Sequence, residues 1–155
     1  METTTGLREE QLEVLRVLYP WYKEEVFRRR EQMMRLTAFA SAFLVLLLVT
    51  ILALATPHPV DLTVRIFAMT GTAIFSTLFV YLILQQRNRH RVAKQTLIEM
   101  ERILGLYEEG LYLVGKALYP MDWQTAWLND RSVTIYNTVI AALTVLVIAA
   151  MLIRW

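Results

Sequence analysis

The chain has no cysteine among its 155 residues, and only two histidines, four prolines and five glycines. Without cysteine there are no disulfides, thiolate metal sites or thiol nucleophiles, and nothing to carry a palmitoyl or prenyl group. The two histidines, His58 and His90, fall on opposite sides of a long apolar stretch. Separated by such a stretch they cannot share a metal ion or a haem, and each reads as a solvated loop or basic-face residue. The sequence also lacks a P-loop, a Gly-rich nucleotide fingerprint, a GxSxG elbow and an HExxH pair. Paired carboxylates do occur: Glu24-Glu25, Glu99 with Glu101, and Glu108-Glu109. They make poor shared sites, because adjacent helix residues point about 100° apart. No enzyme, cofactor or metal site is expected.

The decisive shortage is of charge in three places. Leu36–Thr56, Ile66–Gln85 and Val133–Ile153 contain no charged side chain, in a chain that is 56% hydrophobic with a mean hydropathy of +0.41. About 20 apolar residues in a helix cross a hydrocarbon core of roughly 30 Å. The pattern predicts an all-α, polytopic membrane protein with three transmembrane helices. Ionisable groups at membrane depth usually mark an ion or proton pathway, because burying them is otherwise too costly; these stretches have none. Asn137, about one turn into the third stretch, is the most polar side chain at depth, followed by Thr70, Thr72, Ser76 and Thr77. They are expected to bond between helices or to their own backbone rather than to line a pore. Ala68, Thr72 and Ser76 recur every four residues and form a small-residue stripe of the kind that lets helices approach closely in lipid. Ala38 and Ala42 offer a shorter counterpart on the first span.

What charge there is lies mostly on one side. Fourteen of the sixteen lysines and arginines stand before the first span or between the second and third; Arg65 and Arg154 are the others. This asymmetry predicts a multi-pass protein of the plasma (inner) membrane, with the amino terminus and large loop in the cytoplasm and the carboxyl terminus outside. The first 35 residues carry seven basic and seven acidic side chains, so this segment is expected to be retained rather than cleaved as a signal peptide. The net charge of +2 and pI near 9.0 do not indicate nucleic acid: the basic runs Arg28–Arg30 and Arg87–Arg91 have no interleaved stacking aromatics and sit where anionic lipid attracts them.

Two further stripes mark the charged segments. Ala93, Leu97, Met100, Leu104, Tyr107, Leu111, Val114 and Leu118 alternate by four and three, a heptad seam. Gly105, Gly110 and Gly115 each weaken a helix, so a kink or break is expected near one of them. Leu12, Leu15, Tyr19, Tyr22, Val26, Met33 and Leu36 form a similar seam, with Arg29 the single departure. The two seams are expected to pack together, forming a cytoplasmic helical bundle from the amino-terminal helix and the extension of the second span. The implied divisions are 1–35, an amphipathic helical segment; 36–85, a membrane hairpin; 86–131, the helical extension; and 132–155, the third span.

Leu-Tyr-Pro occurs twice, at Leu18–Pro20 and Leu118–Pro120, each time close to a tryptophan. Proline suits a helix's first turn and tryptophan the lipid boundary, so each copy reads as a turn with an interface anchor. The expected anchors are Trp21, Trp123, Trp127 and Trp155. Asp61 is placed to cap the second span, with Arg65 a turn later snorkelling to the headgroups.

The run KQTLIEMERILGLY, Lys94–Tyr107, resembles the stretch that follows the membrane hairpin in RipA-like and SLATT-type bacterial proteins. That resemblance covers about half the chain and implies a small oligomeric membrane protein; the SLATT group is proposed to perforate membranes. The third span with an outside carboxyl terminus departs from the two-span SLATT pattern, and no functional residue carries over. The expected function is a non-enzymatic oligomeric scaffold or sensor, with two alternatives: an accessory subunit of a larger membrane complex, or an oligomeric channel. The expected partners are the lipid bilayer and either further copies of the chain or other membrane subunits.

Overall fold

A computed structural model of the protein describes residues 9–53, 60–126 and 131–154. The order is α1 (Glu9–Ala53), α2 (Leu62–Ile103), α3 (Trp123–Ala126) and α4 (Ser132–Arg154). Among the described residues there is no strand, only an isolated bridge between Leu113 and Lys116. Three of these helices, α1, α2 and α4, are long and apolar enough to cross a membrane. The described residues form two compact units: a charged unit from 9–30 and 89–126, and an apolar unit from 31–53, 60–88 and 131–154.

Local chemistry accounts for where these helices start, run and stop. Along α1, Glu24, Glu25 and Glu31 each lie four residues before an arginine and pair with Arg28 (3.1 Å), Arg29 and Arg35 (2.7 Å) respectively. Glutamate N-terminal to the base is the favourable orientation for such pairs. Pro20 lies inside α1, not at a helix start, so the first Leu-Tyr-Pro is not a turn. The helix runs through the missing donor there: Pro20 is exposed, while the nearby seam residues Tyr19, Tyr22 and Val26 pack with Ala93 and Leu97. The second copy does precede a helix: Trp123 N–H donates to the Pro120 carbonyl (3.0 Å), opening the single turn of α3.

Asp61 caps α2, its Oδ1 accepting from Thr63 N–H (3.2 Å) and its carbonyl from Arg65 N–H (3.0 Å). At the other end, Leu106 N–H bonds the Glu101 carbonyl and Gly105 N–H the Arg102 carbonyl, both at 3.0 Å. This is the paired arrangement of a Schellman motif. It requires a left-handed residue, supplied by Gly105 at φ 68°. The break expected near one of three glycines therefore falls at the first. The seam does not continue as a helix to Leu118: Leu111 is 56% exposed and Val114 fully so.

In the apolar unit all three helices share one core. Met33, Ala40, Leu44 and Ile51 of α1 cluster with Ile83 of α2 and Val133, Ile140, Val147, Ala150 and Met151 of α4. On α4 the inward residues Val133, Tyr136, Ile140, Leu143, Val147 and Ala150 step by three and four, the spacing of knobs-into-holes packing. Phe39 stacks on Phe79 (5.7 Å) and Phe43 packs at a tilt against Phe75 (4.5 Å), which sets α1 and α2 antiparallel. Ser76 with Thr144 (2.6 Å) and Arg65 with the Leu152 carbonyl (2.7 Å) set α4 antiparallel to α2. Large apolar side chains, Phe67, Ile74, Leu46 and Val145 among them, point outward. In water such a surface would aggregate; in lipid it is solvated.

Candidate functional site

The charged unit is built where α1 meets the end of α2. Val26 packs on Ala93 and Leu97, with Tyr19 and Tyr22 against them. Beyond Gly105 the chain turns back on itself through Gly110 (φ 82°) and Gly115 (φ 69°). Tyr119 N–H donates to the Leu106 carbonyl at 2.9 Å and Gly110 N–H to that of Lys116 at 3.4 Å. The Tyr112 hydroxyl reaches the Leu104 carbonyl (2.6 Å). This return brings Tyr107, Tyr119 and Trp123 over the last turn of α2, where Glu101 lies.

Glu101 is only 8% exposed. Tyr107 donates its hydroxyl to Oε2, and Tyr19 donates to Oε1 at 3.3 Å. The Tyr19 and Tyr119 hydroxyls are 3.2 Å apart. Because the Tyr19 proton serves the carboxylate, Tyr119 must donate to Tyr19. The chain of donors thus runs Tyr119 to Tyr19 to Glu101, met from the other side by Tyr107. The phenols thus converge on Glu101, whose two carboxylate oxygens accept from Tyr19 and Tyr107. The phenols of Tyr19 and Tyr107 are both raised above the ordinary tyrosine range, first by burial and then by their hydrogen bonds and the nearby Glu101 charge. No ion pair among the described residues involves Glu101. The adjacent Arg102 is turned instead to Gln124 Oε1 (3.1 Å).

Beside this carboxylate is a cavity of about 220 Å³, whose lining includes Phe27, Leu97, Ile98, Glu101, Tyr107, Tyr119 and Trp123, with Lys23. Tyr119 sits between two of the other aromatics, 6.1 Å from Tyr107 edge-on and 5.5 Å from Trp123. Lys23 Nζ lies 5.9 Å from the centre of the Tyr19 ring. A mostly apolar hollow with a few convergent polar groups is the usual form of a small-molecule site.

The sequence-derived candidates fall as follows. Leu97, Met100 and Tyr107 are buried, Leu104 is half-buried, and Leu111 is exposed on the return loop. Tyr107 is buried by that loop and not by a helical seam, since α2 ends at Ile103. Thr72 and Ser76 are buried and Ala68 half-buried in the apolar unit. Thr72 bonds the Ala68 carbonyl (2.8 Å). The Thr144 hydroxyl lies within donating distance of both Ser76 Oγ (2.6 Å) and the Ile140 carbonyl (2.7 Å). Asn137 is half-buried, and its Oδ1 has no hydrogen-bond partner among the described residues. Ala38 and Ala42 face outward; the small residue that α1 turns into the core is Ala40, fully buried. Trp21 is 56% exposed beside Tyr22, and Trp123 lines the cavity. Trp127, Trp155 and His58 lie outside the described residues.

His90 is buried at 3% exposure, not on a solvated basic face. It stands three residues before Ala93 and so continues the seam upstream, a register visible in the sequence once the stripe is extended backwards. The Glu101 network had a fainter signal. Glu101 follows the seam residue Met100, and the glycine-rich stretch after it holds Tyr107, Tyr112, Tyr119 and Trp123. Spacing alone does not show that such a loop folds back.

No family model, no curated protein and no solved structure matches the chain.

Proposed function

We propose that the protein is a non-enzymatic integral membrane protein that works as an oligomeric sensor or scaffold. It would lie in the plasma (inner) membrane, with its amino terminus and charged unit in the cytoplasm and its carboxyl terminus outside. The observation that carries this reading is that α1 and α2 each contribute to both units. The same two helices that supply apolar, lipid-suited surface also supply a charged unit with its own core and cavity. The groups around that cavity hold a carboxylate in place through hydrogen bonds from two phenols. That suits detection better than conversion. The placement of fourteen of sixteen cations supports the orientation. The RipA-like resemblance of Lys94–Tyr107 supports an oligomer.

An accessory role in a larger complex is the second reading, favoured by outward residues such as Phe67 (73% exposed) and Ile153 (81%), which an unlike subunit would cover as well as lipid. A channel lined by the hydroxyl face of α2 is supported less. Thr72 and Ser76 are buried within the apolar unit, and Ser76 is bonded to α4. The test is the mass of the detergent-solubilised protein purified from native membranes, with tags at both ends probed in intact cells. A discrete homo-oligomer whose amino-terminal tag alone is shielded from outside supports the proposal. Co-purifying unlike chains support the accessory reading, and tags accessible from the same side overturn the proposed topology.

A further inference from the structure

The carboxylate at the centre of the charged unit has hydrogen bonds but no counter-ion among the described residues. A buried charge is costly unless an opposite charge joins it. Around Glu101 the structure sets aromatic faces: Tyr107 and Tyr119 within, Phe27 and Trp123 at the more exposed margin. Aromatic faces attract cations, most strongly when the cation sheds its water. We propose that this cavity binds an organic cation of the methylated-ammonium class, with Glu101 as counter-charge and the aromatic rings as its walls.

Three features select this class. A primary ammonium needs up to three acceptors, yet Glu101 already accepts from Tyr19 and Tyr107, and the rest of the lining, Lys23 apart, is apolar or aromatic. A methylated ammonium needs no hydrogen bonds and presents an apolar shell. Size agrees, since about 220 Å³ suits a small headgroup better than a drug-sized molecule. Charge agrees as well: the carboxylate is buried, whereas Lys23, the one cation of the lining among the described residues, is exposed and lies over the Tyr19 ring.

The ligand could come from a free solute or from a choline-bearing lipid headgroup; the chemistry is the same. This inference rests on the sensor reading, but its test is separate from the mass and topology measurements. A protein that assembles as proposed and binds no cation sinks only the ligand assignment.

The experiment is equilibrium dialysis of labelled choline chloride against the full chain in phosphatidylglycerol nanodiscs. The control is 3,3-dimethylbutanol, the neutral isostere. Saturable choline binding is expected, with the isostere on the order of tenfold weaker. Glu101→Gln should weaken choline by about tenfold or more, and Lys23→Gln should strengthen it a few-fold by removing a like charge. Should Glu101→Gln fail to fold, Trp123→Leu at the exposed margin reads the aromatic contribution and should weaken binding several-fold. Nanodiscs containing phosphatidylcholine that block added choline would identify the headgroup as the source, and no block would identify the free solute. Equal affinity for choline and its isostere, weaker choline binding in Lys23→Gln, or no saturable binding each overturns the proposal.

Discussion

A single carboxylate organises the charged unit. Glu101 is held by Tyr107 and Tyr19, and through Tyr19 by Tyr119. Burial and the neighbouring negative charge both favour the neutral phenols of Tyr19 and Tyr107 in the folded protein. In the unfolded chain they ionise near pH 10. A folded value above the unfolded one gives a stabilisation that is complete below about pH 10 and is lost as pH rises through the folded value. The thermal midpoint of the charged unit is therefore expected to hold steady to about pH 9 and to fall beyond about pH 10. A variant carrying both Tyr19→Phe and Tyr107→Phe should start lower, because hydrogen bonds are lost, and show a shallower alkaline decline. If the decline is as steep without the two hydroxyls, the network does not cause it.

At the scale of elements, where α2 ends decides what the charged unit can be. Heptad spacing continues without interruption to Leu118, and by that criterion alone the helix would run on. Gly105 stops it by taking the left-handed conformation that closes the Schellman bonds. A Cβ at this position would also meet Leu111 Cδ2 at 2.5 Å. Gly105→Ala thus faces backbone strain of about 1–2 kcal/mol together with a steric conflict. It is expected to lower the charged unit's melting temperature by several degrees. The same substitution at Gly110, which also has positive φ but open space around it, should cost less. A helix that extended through position 105 with no loss of stability would refute this account of the terminus. Pro20 is the converse case, a residue with the local character of a helix start that is carried inside α1.

For the whole molecule, the membrane-suited part is a three-helix unit and not a hairpin with a separate third span. The shared core of α1, α2 and α4 and the Ser76–Thr144 bond tie α4 to its own chain. Arg65 adds a charged hydrogen bond to the Leu152 carbonyl, one of the groups left unsatisfied at the end of α4. In place of simply snorkelling, this arginine caps another helix. Hydroxyl bonds between helices in lipid contribute about 0.6 kcal/mol on average. A double-mutant cycle of Ser76→Ala and Thr144→Val, measured by unfolding in detergent, is expected to return a coupling of about that size. A coupling of zero would mean that the two hydroxyls do not hold α4 in place.

The sequence determined the helical class and the three membrane-suited stretches, because these follow from composition and from the cost of exposing backbone to lipid. It also determined where α2 is capped, since Asp61 does that work through its immediate neighbours. Tertiary structure decided everything that depends on residues distant along the chain. That α4 packs on α1 and α2, that His90 is buried, and that Ala40 rather than Ala38 or Ala42 is buried on α1 are all consequences of which faces meet. The Glu101 site is the clearest instance. Its members span Tyr19 to Trp123, and no local pattern links them, because hydrogen bonds and cavities form between side chains brought together by folding and not by their spacing in the chain.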